Sequence, residues 1–264
     1  MNRDRPPTRW RRWRGRIVHE IRNSIYQPVS CRLSVDRCRR LHALRRRLIP
    51  RRYTDADPFA LVEIDPHRIE RSLLETAPKR PQWGRVVDGD WDQQSEPFDE
   101  RAVPRGLRER FVDGLPWRET SVYDAFCDQL ARFGNAWGYH SISQFDRRCT
   151  EIDALYDSLR HDGYRRQDAL AGTATPRLAH RADEINVDIG RDGELYWRAY
   201  GQHRLALAKL LDIEAVPVLI HRRHRRWQRR RDRLCRSRQA RTRTAAIPAD
   251  HPDLRPPVGR EGSG

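Results

Sequence analysis

Short apolar segments predict five β-strands in this chain. Segments 60–65, 84–92 and 216–220 are brief, mainly aliphatic runs bounded by proline, glycine or acidic residues, which is typical of short strands. Segments 185–189 and 195–199 alternate apolar with polar residues. Between them stand Asp192 and Gly193, a pair that favours a tight hairpin turn. The pattern therefore predicts a small sheet that contains one hairpin.

Apolar residues at helical spacing predict four helical segments. The first covers 34–48, with Ser34 as its N-cap. Its apolar residues near one face are Cys38, Leu41, Leu44 and Leu48. Segment 104–133 is predicted to be mainly helical, a regular helix is expected between Ser143 and Gly163, and a short one over 205–211. The predicted fold class is α+β, a small mixed sheet with a helical insertion at about 83–150.

The net positive charge of the chain comes from its two ends. The formal net charge of the 264 residues is +16, made up of +14 in 1–53, −8 in 54–220 and +10 in 221–264. We predict a basic N-terminal arm over 1–53 and a folded domain over 54–228. An arginine-rich and then Pro/Gly-rich tail over 229–264 is predicted to be disordered. Because the middle is acidic, the high net charge does not give the predicted domain a surface for a phosphate backbone.

The helix predicted over 34–48 is both basic and amphipathic. Such a helix could lie on an anionic membrane or on nucleic acid. It could also dock onto the acidic domain of its own chain, an interpretation that the opposite charges slightly favour.

Several classes of protein are disfavoured by the sequence. No apolar run approaches the roughly 18–20 residues needed to span a bilayer. The basic first residues lack the apolar stretch of a secretory signal. The five cysteines include no Cys-x-x-Cys pair and no zinc-finger spacing. We therefore expect a cytoplasmic protein with unpaired thiols.

The clearest candidate chemistry lies where the second hairpin strand joins the next helix, at Gly201, Gln202, His203 and Arg204. A glycine at such a turn lets a ligand approach the backbone closely. The helix start behind it offers free N–H groups and a partial positive charge. With two candidate cations added by His203 and Arg204, the segment predicts a binding site for phosphate or another oxyanion.

The order of the predicted elements resembles that of the ParB N-terminal, or ParB/sulfiredoxin-like, domain family. In that family a strand leads to a helix that ends in a Gly-x-x-Gln segment. A strand pair, a Gly-x-x-Arg helix start and a Pro-Val strand follow. The resemblance covers about 58–66 and 150–220, and the GDWD segment within the insertion is similar to that of an archaeal-type subgroup. It implies that Gly163 and Gln167 line the base side of a nucleotide, while 201–204 hold its phosphates.

The box itself differs from two well-known branches of the family. It reads Gly-Gln-His-Arg, where ParB partition proteins usually read Gly-Glu-Arg-Arg and sulfiredoxins read Gly-Cys-His-Arg. Gln202 stands at the position of the sulfiredoxin cysteine, so reduction of a sulfinic acid is not expected. The difference from Gly-Glu-Arg-Arg argues against a CTP switch. No helix-turn-helix segment is recognisable after Ile220. A serine-kinase branch that uses ADP also has a His-Arg box, which keeps phosphotransfer open.

Asp90 and Asp92 are candidate metal ligands and catalytic groups. They belong to the segment Asp-Gly-Asp-Trp-Asp, directly after a predicted strand. Beside bound phosphates, such carboxylates could hold Mg²⁺ or act as a general base. They could equally cap the N–H groups of a polar turn.

Two classes of function remain open on the sequence. The first is a nucleotide- or phosphate-binding domain that takes a nucleoside di- or triphosphate with Mg²⁺, with or without phosphotransfer or hydrolysis. The second is a non-catalytic adaptor whose arginine-rich arms bind nucleic acid or an anionic membrane surface.

Overall fold

One mixed sheet forms the centre of the fold. The computed structural model describes residues 34–74, 82–170, 172, 178–239 and 251–254. The strands are β1 (Leu61–Ile64), β2 (Arg71–Leu73), β3 (Arg85–Val87), β4 (Ser95–Pro97), β5 (Ile185–Ile189), β6 (Leu195–Trp197) and β7 (Val216–His224). Their order is β1-β7-β5-β6-β2-β4, and β3 also pairs with β7. The predicted α+β class is confirmed.

Strand β7 is the longest strand and organises the sheet. It runs antiparallel to β1 along its first half, parallel to β5, and parallel to β3 along its last residues. All nine of its residues are buried. The sequence predicted the strand only as far as Ile220, because the four residues that follow are histidines and arginines. Pairing with β3 and β5 carries the strand on to His224.

Eight helices surround this sheet in the described part of the chain. They are α1 (Val35–Leu48), α2 (Ala102–Phe111), α3 (Ser121–Phe133), α4 (Ile142–Asp162), α5 (Gln167–Leu170), α6 (Leu178–Ala182), α7 (Gln202–Leu210) and α8 (Arg225–Gln239). The predicted helical insertion corresponds to α2, α3 and the first part of α4. Its small core includes Phe126 and Phe145, whose rings stack at 3.9 Å. Helix α2 then contacts α7, which joins the insertion to the sheet.

Helix α1 docks onto its own domain, but through a face other than the one the leucines occupy. Ser34 is its N-cap, as predicted. Val35 packs with Phe59, and the buried ring of His42 lies over Gly84 with Nε2 3.0 Å from the carbonyl oxygen of Thr54. The leucines of the helix face the solvent instead. A polar histidine therefore supplies the contact that the sequence assigned to leucine.

The C-terminal region is more ordered than the sequence suggested. Residues 229–239 belong to helix α8, and the short 3₁₀ helix Pro252–Leu254 is buried against the domain. The prediction that the tail is disordered from residue 229 is wrong for these two segments. Salt bridges with buried arginines hold the second one in place, and local sequence patterns do not reveal such partners.

Candidate functional site

Helix α7 begins at the turn that the sequence singled out. Its N-cap is Gly201, whose φ of 74° is left-handed. A β-carbon at this position would lie 2.8 Å from Cγ1 and 2.9 Å from Cα of Ile185, at the start of β5. Both the backbone conformation and the close approach of β5 therefore require glycine here.

The first turn of α7 presents unused backbone donors. In the described residues, the amide N–H groups of Gln202, His203 and Arg204 donate no hydrogen bond, whereas the next amide, that of Leu205, donates to the carbonyl of Gly201. The three residues are half-buried, so the donors lie close to the surface. Together with the positive end of the helix dipole, they provide the donors that an oxyanion needs.

A buried glutamate brings the loop after α4 to this turn. The carboxylate of Glu184 accepts hydrogen bonds from the amide of Gln167 at 2.7 Å and from the hydroxyl of Tyr164 at 3.2 Å. It also lies 3.6 Å from Nη1 of Arg204. Gly163, with φ 71°, ends α4 directly before this loop. Loop 163–167 and the start of α7 therefore meet at one carboxylate.

Glu184 was missed by sequence reasoning. Its side chain is 1% exposed, and its only signal in the sequence is its place directly before the predicted strand 185–189. Burial raises the pKa of Glu184, although the amide of Gln167 and the charge of Arg204 oppose this effect. Burial likewise raises the pKa of the Tyr164 hydroxyl well above its usual value. The tyrosine therefore acts as a hydrogen-bond donor in this network.

The side chain of Arg204 is used within the protein. Nη2 donates a hydrogen bond to the carbonyl of Asp183, and Nη1 lies 3.4 Å from the hydroxyl of Tyr164. The sequence led us to expect an arginine that extends freely toward a ligand. Instead, Arg204 holds loop 163–167 to the start of α7 through Tyr164 and Glu184, and it adds positive charge there.

His203 is not the cation that the sequence suggested. Loss of hydrating water on burial, followed by the positive charges of Arg148 and Arg204, lowers its pKa to about 4. The ring is therefore neutral at pH 7 and can donate or accept one hydrogen bond. The two arginines that disfavour a proton on this ring attract an anion, and each also faces a carboxylate, Arg148 that of Glu151 at 2.8 Å and Arg204 that of Glu184 at 3.6 Å.

Asp90 and Asp92 lie far from the start of α7. Both bind Arg191, whose Nη2 is 2.8 Å from Oδ1 of Asp90 and 2.7 Å from Oδ1 of Asp92. Asp92 also lies next to Gly190, just beyond β5, whereas Gly201 lies next to Ile185 at its beginning. The five residues of β5 separate the two places by about 16 Å. The sequence grouped these carboxylates with the phosphate site, and the structure separates them.

Arg191 also fixes the charge state of Asp92. Burial would raise the pKa of Asp92, but the side chain and the backbone amide of Arg191 more than offset this and keep it below its usual value. Carboxylates that are already bound by a guanidinium are poor ligands for Mg²⁺. Across the described ranges, no group of three or more His, Cys, Asp or Glu side chains is arranged to hold a metal ion.

Buried aspartates neutralise the basic end of β7. Asp188 on β5 lies 2.7 Å from Nε of Arg222, 3.3 Å from Nδ1 of His221 and 3.5 Å from Nη1 of Arg198. The guanidinium of Arg222 also lies 4.0 Å from the ring centre of Trp91. This basic segment is therefore part of the core.

An arginine-lined cavity lies at the other end of the sheet from the start of α7. It has a volume of about 890 Å³ and is formed by the C-terminal end of α1, segment 50–53 and helix α8. The charged residues that line it are Arg46, Arg51, Arg52, Asp55, Arg225, Arg229, Asp232 and Arg236. Asp55 is already paired with Arg231, and among the lining arginines Arg225 is paired with Asp88 at 2.7 Å. The remaining arginines outnumber Asp232, so the cavity carries net positive charge.

No protein-family model matches this chain, and no curated protein or solved structure matches it significantly. The similarity to the ParB/sulfiredoxin family thus rests on the motifs and the order of the elements alone. Of the helices that the structure describes, none combines the length and the apolar composition needed to cross a membrane.

Proposed function

We propose that this protein binds the phosphate groups of a nucleotide where loop 163–167 meets the start of α7. The observation that carries the proposal is the set of three amide N–H groups at Gln202, His203 and Arg204, which donate to nothing in the described chain. Such a set, at the positive end of a helix, favours a phosphate over a neutral ligand.

The electrostatics of the surroundings support an anionic ligand. Arg148 and Arg204 both act on the ring of His203 and disfavour a positive charge there. A phosphate in the same place would instead be attracted to both arginines. The neutral imidazole would add one hydrogen bond, and a bound phosphate would raise the pKa of His203.

The loop on the other side of the site suits the remainder of a nucleotide. Gly163 and Gln167 lie beside Tyr164, whose hydroxyl is tied to Glu184 and Arg204. This arrangement places the backbone of the loop next to the helix start, so that one ligand can contact both. The ParB/sulfiredoxin resemblance implies the same division between phosphates and base.

The proposal is one of binding and assigns no catalytic step. Asp90 and Asp92 lie about 16 Å from the start of α7, at the other end of β5, and are therefore too distant to serve as its metal ligands or its general base. Any Mg²⁺ would therefore arrive on the phosphates of the nucleotide. A cytoplasmic setting, where such nucleotides are abundant, fits the proposal.

Thermal denaturation of the full chain with ADP, ATP, CTP or GTP, each with Mg²⁺, tests this function. A ligand at about 100 times its dissociation constant adds about 2.7 kcal/mol, a shift of roughly 5–10 °C for a domain of this size. We expect one nucleotide to give such a shift. We expect Arg148→Ala to reduce it, because Arg148 contributes to the local positive potential.

Arg147→Ala is the matched control. Arg147 is exposed on the same helix, one position away, and is therefore turned by about 100° from Arg148. It should leave the shift unchanged. The proposal is wrong if no nucleotide stabilises the folded protein, or if the two arginine variants lose the same part of the shift.

A further inference from the structure

Helix α1 presents an apolar face that nothing in the described chain covers. Leu41, Leu44, Leu48 and Ile49 are 45%, 54%, 72% and 46% exposed. The three leucines are spaced by three and four residues and so lie on one side of the helix. The opposite side, with Val35 and His42, is the one that packs on the domain. The exposed face is therefore not needed for folding.

Arginines border this apolar face on both sides. The helix contains six arginines and one acidic residue, Asp36. On a helical wheel, Arg40 and Arg47 lie on one flank of the leucines and Arg45 on the other. Among the described residues, none of these three makes an ion pair, whereas Arg39 is paired with Asp36 and Asp57. The surface thus combines exposed leucines with unneutralised positive charge.

The arginine-lined cavity does not belong to the same face. Its lining residue within α1, Arg46, is two positions from both Leu44 and Leu48 and is therefore turned by about 200° from each of them. Arg225 and Arg229 of helix α8 close the other side of the cavity. The positive charge beside the leucines therefore comes from Arg40, Arg45 and Arg47.

We propose that helix α1 docks this protein onto an anionic lipid bilayer. The leucines would enter the boundary between headgroups and acyl chains, and the flanking arginines would contact the headgroups. The exposed leucines are not part of the proposed nucleotide site, and the inference does not depend on that function.

Charge complementarity decides against the other occupants. A nucleic-acid backbone would satisfy the arginines but leave the leucines in water. A second copy of the helix would bring arginines against arginines. Residues 1–33 of the chain carry nine arginines and two acidic residues, so that segment would also be repelled. An anionic bilayer is apolar within and negative at its surface, and it satisfies both parts of the site.

Co-sedimentation of the full chain with vesicles tests the proposal. We expect binding to vesicles of equal parts phosphatidylcholine and phosphatidylserine, and none to phosphatidylcholine alone. The double variant Leu44→Ser, Leu48→Ser should weaken binding by about tenfold or more without lowering the melting temperature. Leu170→Ser, which changes a leucine that is 53% exposed elsewhere, should bind like the wild type.

A second pair of variants isolates the charge. Arg40→Gln with Arg47→Gln should weaken vesicle binding, whereas Arg108→Gln with Arg160→Gln removes the same charge from helices α2 and α4 and should have little effect. Absence of binding to the anionic vesicles would overturn the proposal. Binding that the leucine variant leaves intact would also overturn it, as would binding to duplex DNA in place of vesicles.

Discussion

Replacement of Asp253 by asparagine removes the negative charge from a fully buried ion pair. The side chains of Asp253 and Arg223 are each 2% exposed. Nε of Arg223 lies 3.1 Å and 3.0 Å from the two carboxylate oxygens, and Trp227 donates to one of them at 2.8 Å. The asparagine variant would leave the guanidinium of Arg223 without its counter-charge in the core.

The expected loss of stability is large for a single isosteric substitution. Breaking a buried pair by removal of one partner costs about 3–5 kcal/mol. The Nε atom of Arg231 lies 3.5 Å from the same carboxylate, so Arg231 would also lose a nearby negative charge. Since folded domains are stable by only about 5–15 kcal/mol, the variant should retain clearly less than the stability of the wild type.

Urea denaturation at pH 7, followed by circular dichroism, measures this loss. Burial would raise the pKa of Asp253, but the charges of Arg223 and Arg231 more than offset this and lower it below its usual value. The ionised carboxylate of Asp253 therefore contributes fully to the free energy of unfolding above the unfolded-state pKa of about 3.9. This contribution is lost as the pH falls through the folded-state pKa. Measurement at pH 7 thus captures the whole effect.

Asp99→Asn provides the matched control. Asp99 also forms a close ion pair, with Oδ2 2.7 Å from Nζ of Lys209, but the side chain of Asp99 is 66% exposed. Its loss should cost less than that of Asp253, because solvent reaches the carboxylate and Nζ of Lys209 keeps a hydrogen bond to the carbonyl oxygen of Ile69 at 3.3 Å. If Asp253→Asn proved no more costly than Asp99→Asn, the buried docking of segment 251–254 and the reasoning from it would be refuted.

Two further substitutions test the start of α7. Gly201→Ala should cost about 1–3 kcal/mol in a thermal melt, from the left-handed φ and the contact with Ile185. Gly134→Ala, with a similar φ of 68° but open space around it, should cost less, and equal losses would contradict the close approach. The low pKa of His203, about 4, means that the unfolded chain binds a proton more readily than the folded one. Stability should therefore fall by up to about 3 kcal/mol between pH 6.5 and 4, and His203→Asn should remove that part of the pH dependence, which denaturation at a series of pH values measures.

The strands and helices that the sequence predicted correctly have either a regular repeat of apolar residues or a clear capping residue at one end. Alternation over 185–189 and 195–199 predicted the hairpin, and the helix capped by Ser34 begins where the sequence placed it. Strands β2 and β4 were missed, because each has only three residues and neither is apolar throughout. Such strands exist because a neighbouring strand pairs with them.

The candidate site was only partly predictable for a related reason. Gly201 and the helix behind it were evident, since a glycine between a strand and a helix is a local signal. The neutral state of His203 depends on burial and on Arg148, which is 55 positions earlier in the chain. The separation of Asp92 from the site depends on where β5 ends. Neither the neutral state of His203 nor the position of Asp92 can be predicted from the neighbouring residues in the sequence.

The arginines illustrate the difference between local patterns and long-range contacts. The sequence predicts that net positive charge collects at both ends of the chain and that the centre folds as an α+β domain. Nothing near Arg222 and Arg223 in the sequence predicts that they enter the core while Arg51 and Arg229 line an open cavity. Burial of a guanidinium costs much free energy unless partners such as carboxylates pair with it. Asp188 and Asp253 supply those carboxylates from distant parts of the chain.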